Sequence, residues 1–324
     1  MNKTTLYKNG KIHNFFVFIK NNEKKFKNII ILSFLFIIFV FKNIKKENIK
    51  ICLCAIVKNE NLYLREFVEY YKKIGYNKII LYDNNEKNGE NLEEVIKDYI
   101  LKDFVQIFDF RGRKKKPQFK AFKDCYQMNS KFFDWLSFFD IDEFLEIDKK
   151  YKTIQDFLND KIFQSCKSIK INWLLYNNDN SLYYDKKNIQ ERIKYPDYNS
   201  PDNIHIKSTV RGNLTINYWK GMRNPHSSSL NYSSCSSSGK NIRFNSPFNA
   251  PPDYTNAKLR HYYYKSFEEY LLKRYRGRAD MTENSYNKKR RKFYKELISQ
   301  NIHNKEKLNI INKIFNKSNI NFEK

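Results

Sequence analysis

The chain has 324 residues, of which 41% are hydrophobic and 17% aromatic, so it can bury a substantial core and is not expected to be disordered. Its formal net charge of +26 at pH 7 would ordinarily indicate a nucleic-acid or anionic-membrane partner. The basic residues are spread along the whole chain, however, and the sequence carries no recognised nucleic-acid reader motif or zinc-finger spacing. We therefore expect no nucleic-acid partner.

The cysteines indicate neither a disulfide framework nor a zinc site, because their number is odd and they are not clustered like metal ligands. The five are Cys52, Cys54, Cys125, Cys166 and Cys235. The first two lie in an apolar run and are expected to be small core residues. The cysteines do not indicate a cellular compartment.

Residues 29–41 are apolar except for Ser33, and lysines bracket them on both sides. A helix of this length would cover about 20 Å, short of the ~30 Å hydrocarbon core, although flanking lysines can snorkel. A buried core helix and the apolar part of a signal peptide are the alternatives. We predict that residues 29–41 form a single-pass membrane anchor, whose orientation the lysines on both sides do not determine. A basic and polar tail at 1–28 precedes it, and a linker at 42–50 follows it.

From Ile51 onward, strand and helix patterns alternate, which is typical of a parallel sheet covered by helices. Strands are predicted at 51–57, 78–82, 105–110, 135–141 and 168–176. Helices are predicted at 62–74, 92–99, 119–133, 154–158 and 267–274. The Ser- and Asn-rich segment 227–241 predicts a loop, and the polar tail beyond residue 294 predicts one or two peripheral helices.

Asp140 and Asp142 end the apolar segment 135–141 and are the most informative residues of the chain. A strand would direct both side chains to the same face. Open α/β sheets bind ligands outside the carboxyl ends of their strands, and paired carboxylates there suit Mn²⁺ or Mg²⁺ bridging a diphosphate. Since Asp-x-Asp triplets are common by chance, two solvated acids at a strand end are the alternative.

Polar residues also follow the first two predicted strands, as Val57-Lys58-Asn59-Glu60 and Tyr82-Asp83-Asn84-Asn85. They fall on the same expected edge of the sheet as the aspartates, although the asparagines could merely cap helices or make turns. Neither strand end carries a Gly-rich phosphate-binding fingerprint, which argues against a dinucleotide oxidoreductase or a classical kinase.

Four segments resemble, in this order, the family 92 glycosyltransferases and the related family 2-like group with the GT-A fold. They read CAIVKNENLYLREFVEYYKKIGYNKIILYDNN, KPQFKAFKDCY, WLSFFDIDEFLEI and LRHYYYKSFEEYLLKR. The resemblance covers residues 51–278 and implies a Rossmann-like α/β catalytic domain with a mostly parallel sheet flanked by helices. A polar helical tail at 279–324 would follow. The implied activity is metal-dependent transfer of a sugar, with inversion, from a nucleotide-sugar donor to a glycan or glycolipid acceptor.

The resemblance also implies roles for individual residues. Asp140 and Asp142 match the metal-binding Asp-x-Asp motif, and His261 is similar to a histidine that completes the metal or diphosphate site; a packed strand histidine is the alternative. The positions implied to bind the nucleotide sugar are Val57, Lys58, Asn59, Glu60, Asp83, Gln118 and Ala121. The cation would be Mn²⁺ or Mg²⁺.

Inversion by direct displacement requires a base for the acceptor hydroxyl. Glu191 is the first candidate and Asp179 the second, and either could instead be a surface carboxylate. Trp173 and Trp219 could stack on acceptor sugars or belong to the core. Two alternatives to a glycosyltransferase stay open: a nucleotidyltransferase-like enzyme, and a non-catalytic, membrane-bound carbohydrate-binding protein.

Overall fold

The computed structural model describes Ser33 and residues 49–177, 180–214, 226, 233–242, 247–279, 281–299, 302 and 304–316. Apart from Ser33, the predicted anchor at 29–41 lies outside these residues, as do the tail at 1–28 and residues 42–48 of the linker. In the part of the chain that is described, no helix is both long enough and apolar enough to cross a membrane. The chain from Ile49 onward forms one unit.

The first part of this unit alternates strands and helices, as the sequence predicts. The elements are β1 (Ile51–Val57), α1 (Asn61–Lys73), β2 (Lys78–Asp83), α2 (Glu93–Leu101), β3 (Val105–Asp109), α3 (Pro117–Asn129) and β4 (Trp135–Phe138). β1 lies between β2 and β4 and is parallel to both, and β3 pairs parallel with β2. All seven residues of β1 are buried, which explains its continuous apolar sequence.

The second part is richer in short strands. Its elements are β5 (Glu143–Ile147), α4 (Ile154–Leu158), β6 (Ser168–Asn177), α5 (Ile189–Arg192), β7 (Tyr195–Pro196), β8 (Ile206–Arg211), β9 (Ser234–Cys235), β10 (Asn241–Ile242), β11 (Ala257–His261), α6 (Phe267–Arg276), α7 (Glu283–Ser299) and α8 (Lys305–Asn316). Two 3-10 helices lie at Lys161–Phe163 and Pro201–Ile204. β9 and the first residue of β10 fall inside the segment predicted as a loop, so that prediction was wrong at Ser234, Cys235 and Asn241.

The sheet is mixed, so the prediction of a mostly parallel sheet was wrong. Its strand order is β10-β9-β6-β8-β4-β1-β2-β3, and β8 pairs antiparallel with both β4 and β6. The parallel pairing ends at β4. Its other neighbour, β8, runs antiparallel to it, so no further β-α-β unit extends the described part of the sheet on that side. β11 then joins β5 antiparallel and β6 parallel, which places His261 opposite Glu143 and Leu175.

Three buried clusters hold these elements together. The largest packs α1 and α4 against one face of the sheet and includes Phe67, Phe144 and Phe157. A second packs α3 against the other face through Phe122 and Leu136. The third joins α6, α7 and α8, so the predicted tail helices pack on the helix that precedes them.

Two disulfides cross-link the unit, which corrects the inference that the cysteines form no disulfide framework. Cys54 of β1 is bonded to Cys125 of α3, and Cys166 is bonded to Cys235 of β9. Cys52 is the remaining thiol, and it is buried. Four of the five cysteines are paired, and the number is odd only because Cys52 is an unpaired core residue.

Candidate active site

Asp140 and Asp142 lie in the turn between β4 and β5, not within a strand, so strand alternation does not set their directions. Asp140 accepts hydrogen bonds from Gln118 Nε2 through Oδ1 and from Lys207 Nζ through Oδ2, both at 2.7 Å. Asp142 Oδ2 accepts from Lys265 Nζ at 3.1 Å and also from Lys273 Nζ. Each carboxylate is therefore neutralised by lysines of the chain itself.

These lysines decide the ionisation of the pair. Burial alone would raise the pKa of Asp142, but Lys265 and Lys273 outweigh it and hold the pKa well below its ordinary value. Burial also opposes ionisation of Asp140, and Lys207 lowers its pKa nonetheless. The neighbouring Glu143 is fully buried, and burial raises its pKa well above the ordinary value. Two ionised carboxylates therefore lie beside a buried carboxyl group whose charged form burial disfavours.

His261 completes the carboxylate site from β11. Its Nε2 lies 3.6 Å from Asp142 Oδ1, too far for a hydrogen bond. Its Nδ1 is buried and has no hydrogen-bond partner within the described ranges. Burial lowers the pKa of this imidazole, so the ring is neutral at pH 7. The three residues implied as metal ligands thus lie at one place.

A cavity of about 410 Å³ opens in front of these residues, at the carboxyl ends of the central strands. One side of it is strongly basic. We call this side the cationic wall; it comes from α6 and the residues just after it and comprises Lys273, Arg274, Arg276 and Arg278. Arg276 donates to the Lys58 carbonyl and pairs with Glu60 at 2.7 Å, which fixes the wall against the end of β1.

Another part of the cavity lining consists of rings. We call it the imidazole wall; it comprises Trp173, His205 and His226. The Trp173 ring stacks on His205 with a centroid separation of 4.7 Å, meets His226 edge-on at 5.3 Å and touches His261 at 4.2 Å. Burial, aided by Lys207, lowers the pKa of His226 to about 3, so that ring is also neutral.

Some residues implied to bind the donor lie in this cavity and others do not. Val57, Lys58, Glu60 and Gln118 line it. The other three are Asn59, Asp83 and Ala121. Asn59 is exposed and is not part of the lining, and Ala121 is buried in the core behind α3.

Asp83 is buried, and its carboxylate accepts from Arg111 Nε at 2.8 Å and from the Asn85 amide at 3.0 Å. It is absent from the lining of the cavity. The neighbouring Asn84 instead faces a second cavity of about 180 Å³, which shares Lys58, Arg276 and Arg278 with the first. Asp83 therefore supports the strand end, and the Asn84 side chain donates to the carbonyls of Phe110 and Arg113 at the second cavity.

Of the two predicted bases, only Glu191 is among the described residues, and it is not in the cavity. Glu191 lies exposed on α5 and does not line it, and Asp179 is outside the described residues, as is Trp219. The structure adds Asp202, His205, His226 and Lys207, which the sequence analysis missed. These residues come from the region around β8, where the sequence shows no strand periodicity strong enough to place them.

Carboxylates that face a cluster of lysines and arginines at the carboxyl ends of strands are typical of enzymes that bind phosphorylated ligands. A comparison with protein families identifies the particular class. The model of glycosyltransferase family 92 matches residues 47–312. The chain therefore belongs to glycosyltransferase family 92, as the four sequence segments predict.

Curated relatives carry the same family description. A family 92 protein of Oryza sativa subsp. japonica is 29% identical over 117 residues, which cover 36% of this chain and 19% of that protein. One of Arabidopsis thaliana is 29% identical over 105 residues, covering 32% of this chain and 18% of that protein. The matches span about a fifth of the length of these relatives.

Similarity to solved structures is low. TarS of S. aureus aligns with 83% of this chain and 43% of its own, with 10% identity and a TM-score of 0.37. The mannosyltransferase PcManGT of Pyrobaculum calidifontis, in complex with GDP-Man and Mn²⁺, aligns with 39% of this chain and 36% of its own, with 10% identity and a TM-score of 0.30. Scores this low do not establish a common fold.

Proposed function

We propose that this chain transfers a sugar from a nucleotide-sugar donor to a hydroxyl of a glycan or glycolipid acceptor. The observation that carries the proposal is the cavity in which Asp140 and Asp142 face the cationic wall, in a chain that belongs to glycosyltransferase family 92. We also propose that the fold is of the GT-A type and that residues 29–41 anchor the chain in a membrane.

The cationic wall suits the donor diphosphate. Guanidinium groups match phosphate oxygens in geometry and keep their charge throughout a reaction. The wall continues into the second cavity at the ends of β1, β2 and β3, through Arg276 and Arg278. We place the nucleoside in this second cavity and the diphosphate between it and Asp142.

A divalent cation fits Asp142 and His261. The separation of 3.6 Å between Asp142 Oδ1 and His261 Nε2 is too long for a hydrogen bond, but it suits two ligands that each lie about 2.1 Å from one ion. A neutral imidazole, as burial maintains here, is the form that binds metal. When bound, Mn²⁺ or Mg²⁺ would stabilise the negative charge that develops on the diphosphate.

The residues of the chain perform the other parts of the reaction. The acceptor oxygen attacks the anomeric carbon, the bond between that carbon and the diphosphate oxygen breaks, and its electron pair leaves with the diphosphate. Lys273 and Arg274 of the cationic wall stabilise this leaving group, and Arg276 and Arg278, which also line the second cavity, bind the donor. Lys207 and Gln118 hold Asp140, and with it the turn that carries Asp142. Direct displacement of this kind inverts the anomeric centre.

A donor screen tests the proposal. Purified protein is incubated with Mn²⁺ or Mg²⁺, a panel of UDP- and GDP-sugars and a mixture of oligosaccharide and glycolipid acceptors, and release of the nucleoside diphosphate is measured. We expect release with one donor, loss of release with a chelator, and recovery with added cation. Asp142→Asn should lower turnover at least about a hundredfold, because several kcal/mol of transition-state stabilisation are lost.

The controls separate chemistry from folding. Asp142→Asn leaves Lys265 buried without its charged partner, so its fold is verified by circular dichroism before activity is compared. The chelation experiment uses the unaltered chain and does not depend on this variant. Full turnover in excess chelator would contradict the cation, and release of pyrophosphate from nucleoside triphosphates without sugar transfer would favour the nucleotidyltransferase alternative.

A further inference from the structure

His205 occupies a fixed position on the imidazole wall. It follows the 3-10 helix Pro201–Ile204, and its side chain is 24% exposed to the cavity. The Trp173 ring stacks on it at 4.7 Å with an interplanar angle of 21°, and the Phe248 ring contacts it edge-on at 4.8 Å. The Trp173 amide donates to its carbonyl at 2.9 Å. The imidazole therefore has a defined plane in the unliganded chain.

Asp202 sets the tautomer of this ring. His205 Nδ1 lies 2.8 Å from the Asp202 carbonyl oxygen. Because a carbonyl oxygen only accepts, Nδ1 carries the hydrogen and Nε2 carries the lone pair. Oδ1 of the same aspartate lies 3.9 Å from Nδ1, on the same side of the ring as the carbonyl contact. A general base whose N–H is held by a third group is the arrangement that activates hydroxyl groups in many enzymes.

The Trp173 ring connects His205 with the carboxylate site. Trp173 touches His205 on one side and His261 at 4.2 Å, and His261 adjoins Asp142. One indole ring thus separates His205 from the carboxylate site. The space in front of that ring is part of the cavity, where an anomeric carbon and an acceptor hydroxyl would meet.

The other groups near this position are less suited to accept a proton. His226 has its Nδ1 against the Ile206 carbonyl at 3.1 Å, but burial and Lys207 disfavour its charged form. His261 faces Asp142 and is assigned to the cation. The Asp202 side chain is about half exposed, so water competes for its oxygens.

We infer that His205 is the general base for the acceptor, oriented by Asp202; this inference rests on the proposed function. His205 Nε2 takes the proton of the acceptor hydroxyl while the oxygen of that hydroxyl forms its bond to the anomeric carbon. The bond from that carbon to the diphosphate breaks, and its electron pair stays on the diphosphate. The imidazolium then gives its proton to water, which restores the neutral ring.

Three variants test this role with the donor and acceptor selected by the screen above. His205→Ala should lower kcat by about a hundredfold or more and leave the KM for the donor within about threefold. His205→Phe keeps the stacking on Trp173 and should be equally impaired. Asp202→Asn retains the carbonyl that holds Nδ1 and should lose less than about tenfold. Added imidazole should restore part of the activity of His205→Ala and none of that of His205→Phe, whose ring fills the space.

The outcomes are distinct. If His205→Phe keeps wild-type kcat, the ring serves packing alone and the inference is wrong. If Asp202→Asn is impaired as severely as His205→Ala and imidazole rescues neither, Asp202 is the base and the inference is wrong again. If the unaltered chain turns over no nucleotide sugar at all, the proposed function itself is wrong. That result is obtained without the His205 variants, so it is distinct from a failure of the inference about His205.

Discussion

The two walls of the cavity offer opposite chemistry. The cationic wall carries lysine and arginine side chains from α6 and the residues after it, and the guanidinium groups remain charged at any physiological pH. The imidazole wall carries rings, and burial keeps His226 neutral, as it does the adjoining His261. Fixed charge is suited to holding a diphosphate, whereas His205 on the imidazole wall is the inferred proton acceptor. Ligand binding and proton transfer are thus assigned to different elements of the fold.

The walls also differ in how they are held. Helix α6 begins with a capping box, in which Ser266 and Glu269 exchange hydrogen bonds, and Glu269 pairs with Arg192. The imidazole wall depends on Asn172, whose Nδ2 donates to the carbonyls of Asn203 and Asn249 at 3.1 and 2.9 Å. The residues of the cationic wall come from α6 and the two positions after it, whereas those of the imidazole wall come from segments distant in sequence.

Each wall is connected to one of the two disulfides. Removing the disulfides one at a time should therefore affect the two walls separately. Cys54–Cys125 holds α3, whose Gln118 amide is bonded to the carbonyl of Ala279 beside the cationic wall. Cys166–Cys235 holds β9 against the start of β6, the strand that carries Trp173. The bonds close loops of nearly equal length, with sequence separations of 71 and 69. Each should contribute about 4 kcal/mol to the free energy of unfolding in the chain-entropy description.

The expected difference is kinetic. Cys54→Ala with Cys125→Ala should raise the KM for the donor more than that for the acceptor, and Cys166→Ala with Cys235→Ala should do the reverse. Both double variants are compared by chemical denaturation and by KM measurements at a temperature where each remains folded. Equal changes in both constants for both variants would mean that the walls are not independently supported.

The cationic wall is tested by a single exposed residue. Arg278 lines both cavities, so Arg278→Ala should raise the KM for the donor about tenfold, the loss of roughly 1.4 kcal/mol of charge-assisted hydrogen bonding, with little change in kcat. The effect should shrink at high ionic strength, because salt screens exposed charges. Lys149→Ala, an exposed cation that lines neither cavity, is the matched control. A donor KM that stays constant in both variants would exclude Arg278 from the donor site.

The sequence predicts the cationic side of the molecule better than the imidazole side. β1 is a continuous apolar run and β2 and β4 are largely apolar, so the edge of the sheet where Lys58 and Glu60 line the cavity could be predicted from the sequence. β8 carries a run of polar residues, Lys207, Ser208 and Thr209, that are nonetheless buried. Their burial results from pairing across the sheet, which local composition does not encode.

The candidate site shows the same division. The resemblance implied Asp140, Asp142 and His261 as metal ligands because they lie in the matching sequence segments. All three line one cavity in the structure. Asp202 and His205 lie in a segment without periodicity, and the contact that makes them notable, from Nδ1 to a carbonyl oxygen, depends on the backbone conformation at the end of a 3-10 helix. Glu191 was chosen for its charge, and the structure places it on the surface.

Lys170 lies on β6 behind the imidazole wall, and its buried amine makes the stability of the fold depend on pH. Its Nζ donates to Ser208 Oγ at 2.9 Å, and Ser208 in turn donates to the carbonyl of His226. Burial lowers the pKa of this amine to about 7 from its ordinary value of 10.5. Between these two values the unfolded chain binds more protons than the folded chain does, so folding stability contributed by this site rises with pH.

Replacing Lys170 with Met should remove this dependence while it keeps the volume of the side chain. The variant should be more stable than the wild type at pH 6, where the buried amine is charged, and the advantage should decrease as the pH rises toward 10. One proton is involved, so the difference in the free energy of unfolding changes by at most about 1.4 kcal/mol per pH unit. Thermal unfolding of both proteins at several pH values measures it, with the exposed Lys149→Met as the control that shows no such trend. A difference that is constant with pH would mean that Lys170 keeps its ordinary protonation in the fold, and that the strand behind the imidazole wall is more accessible to water than the contacts of Lys170 indicate.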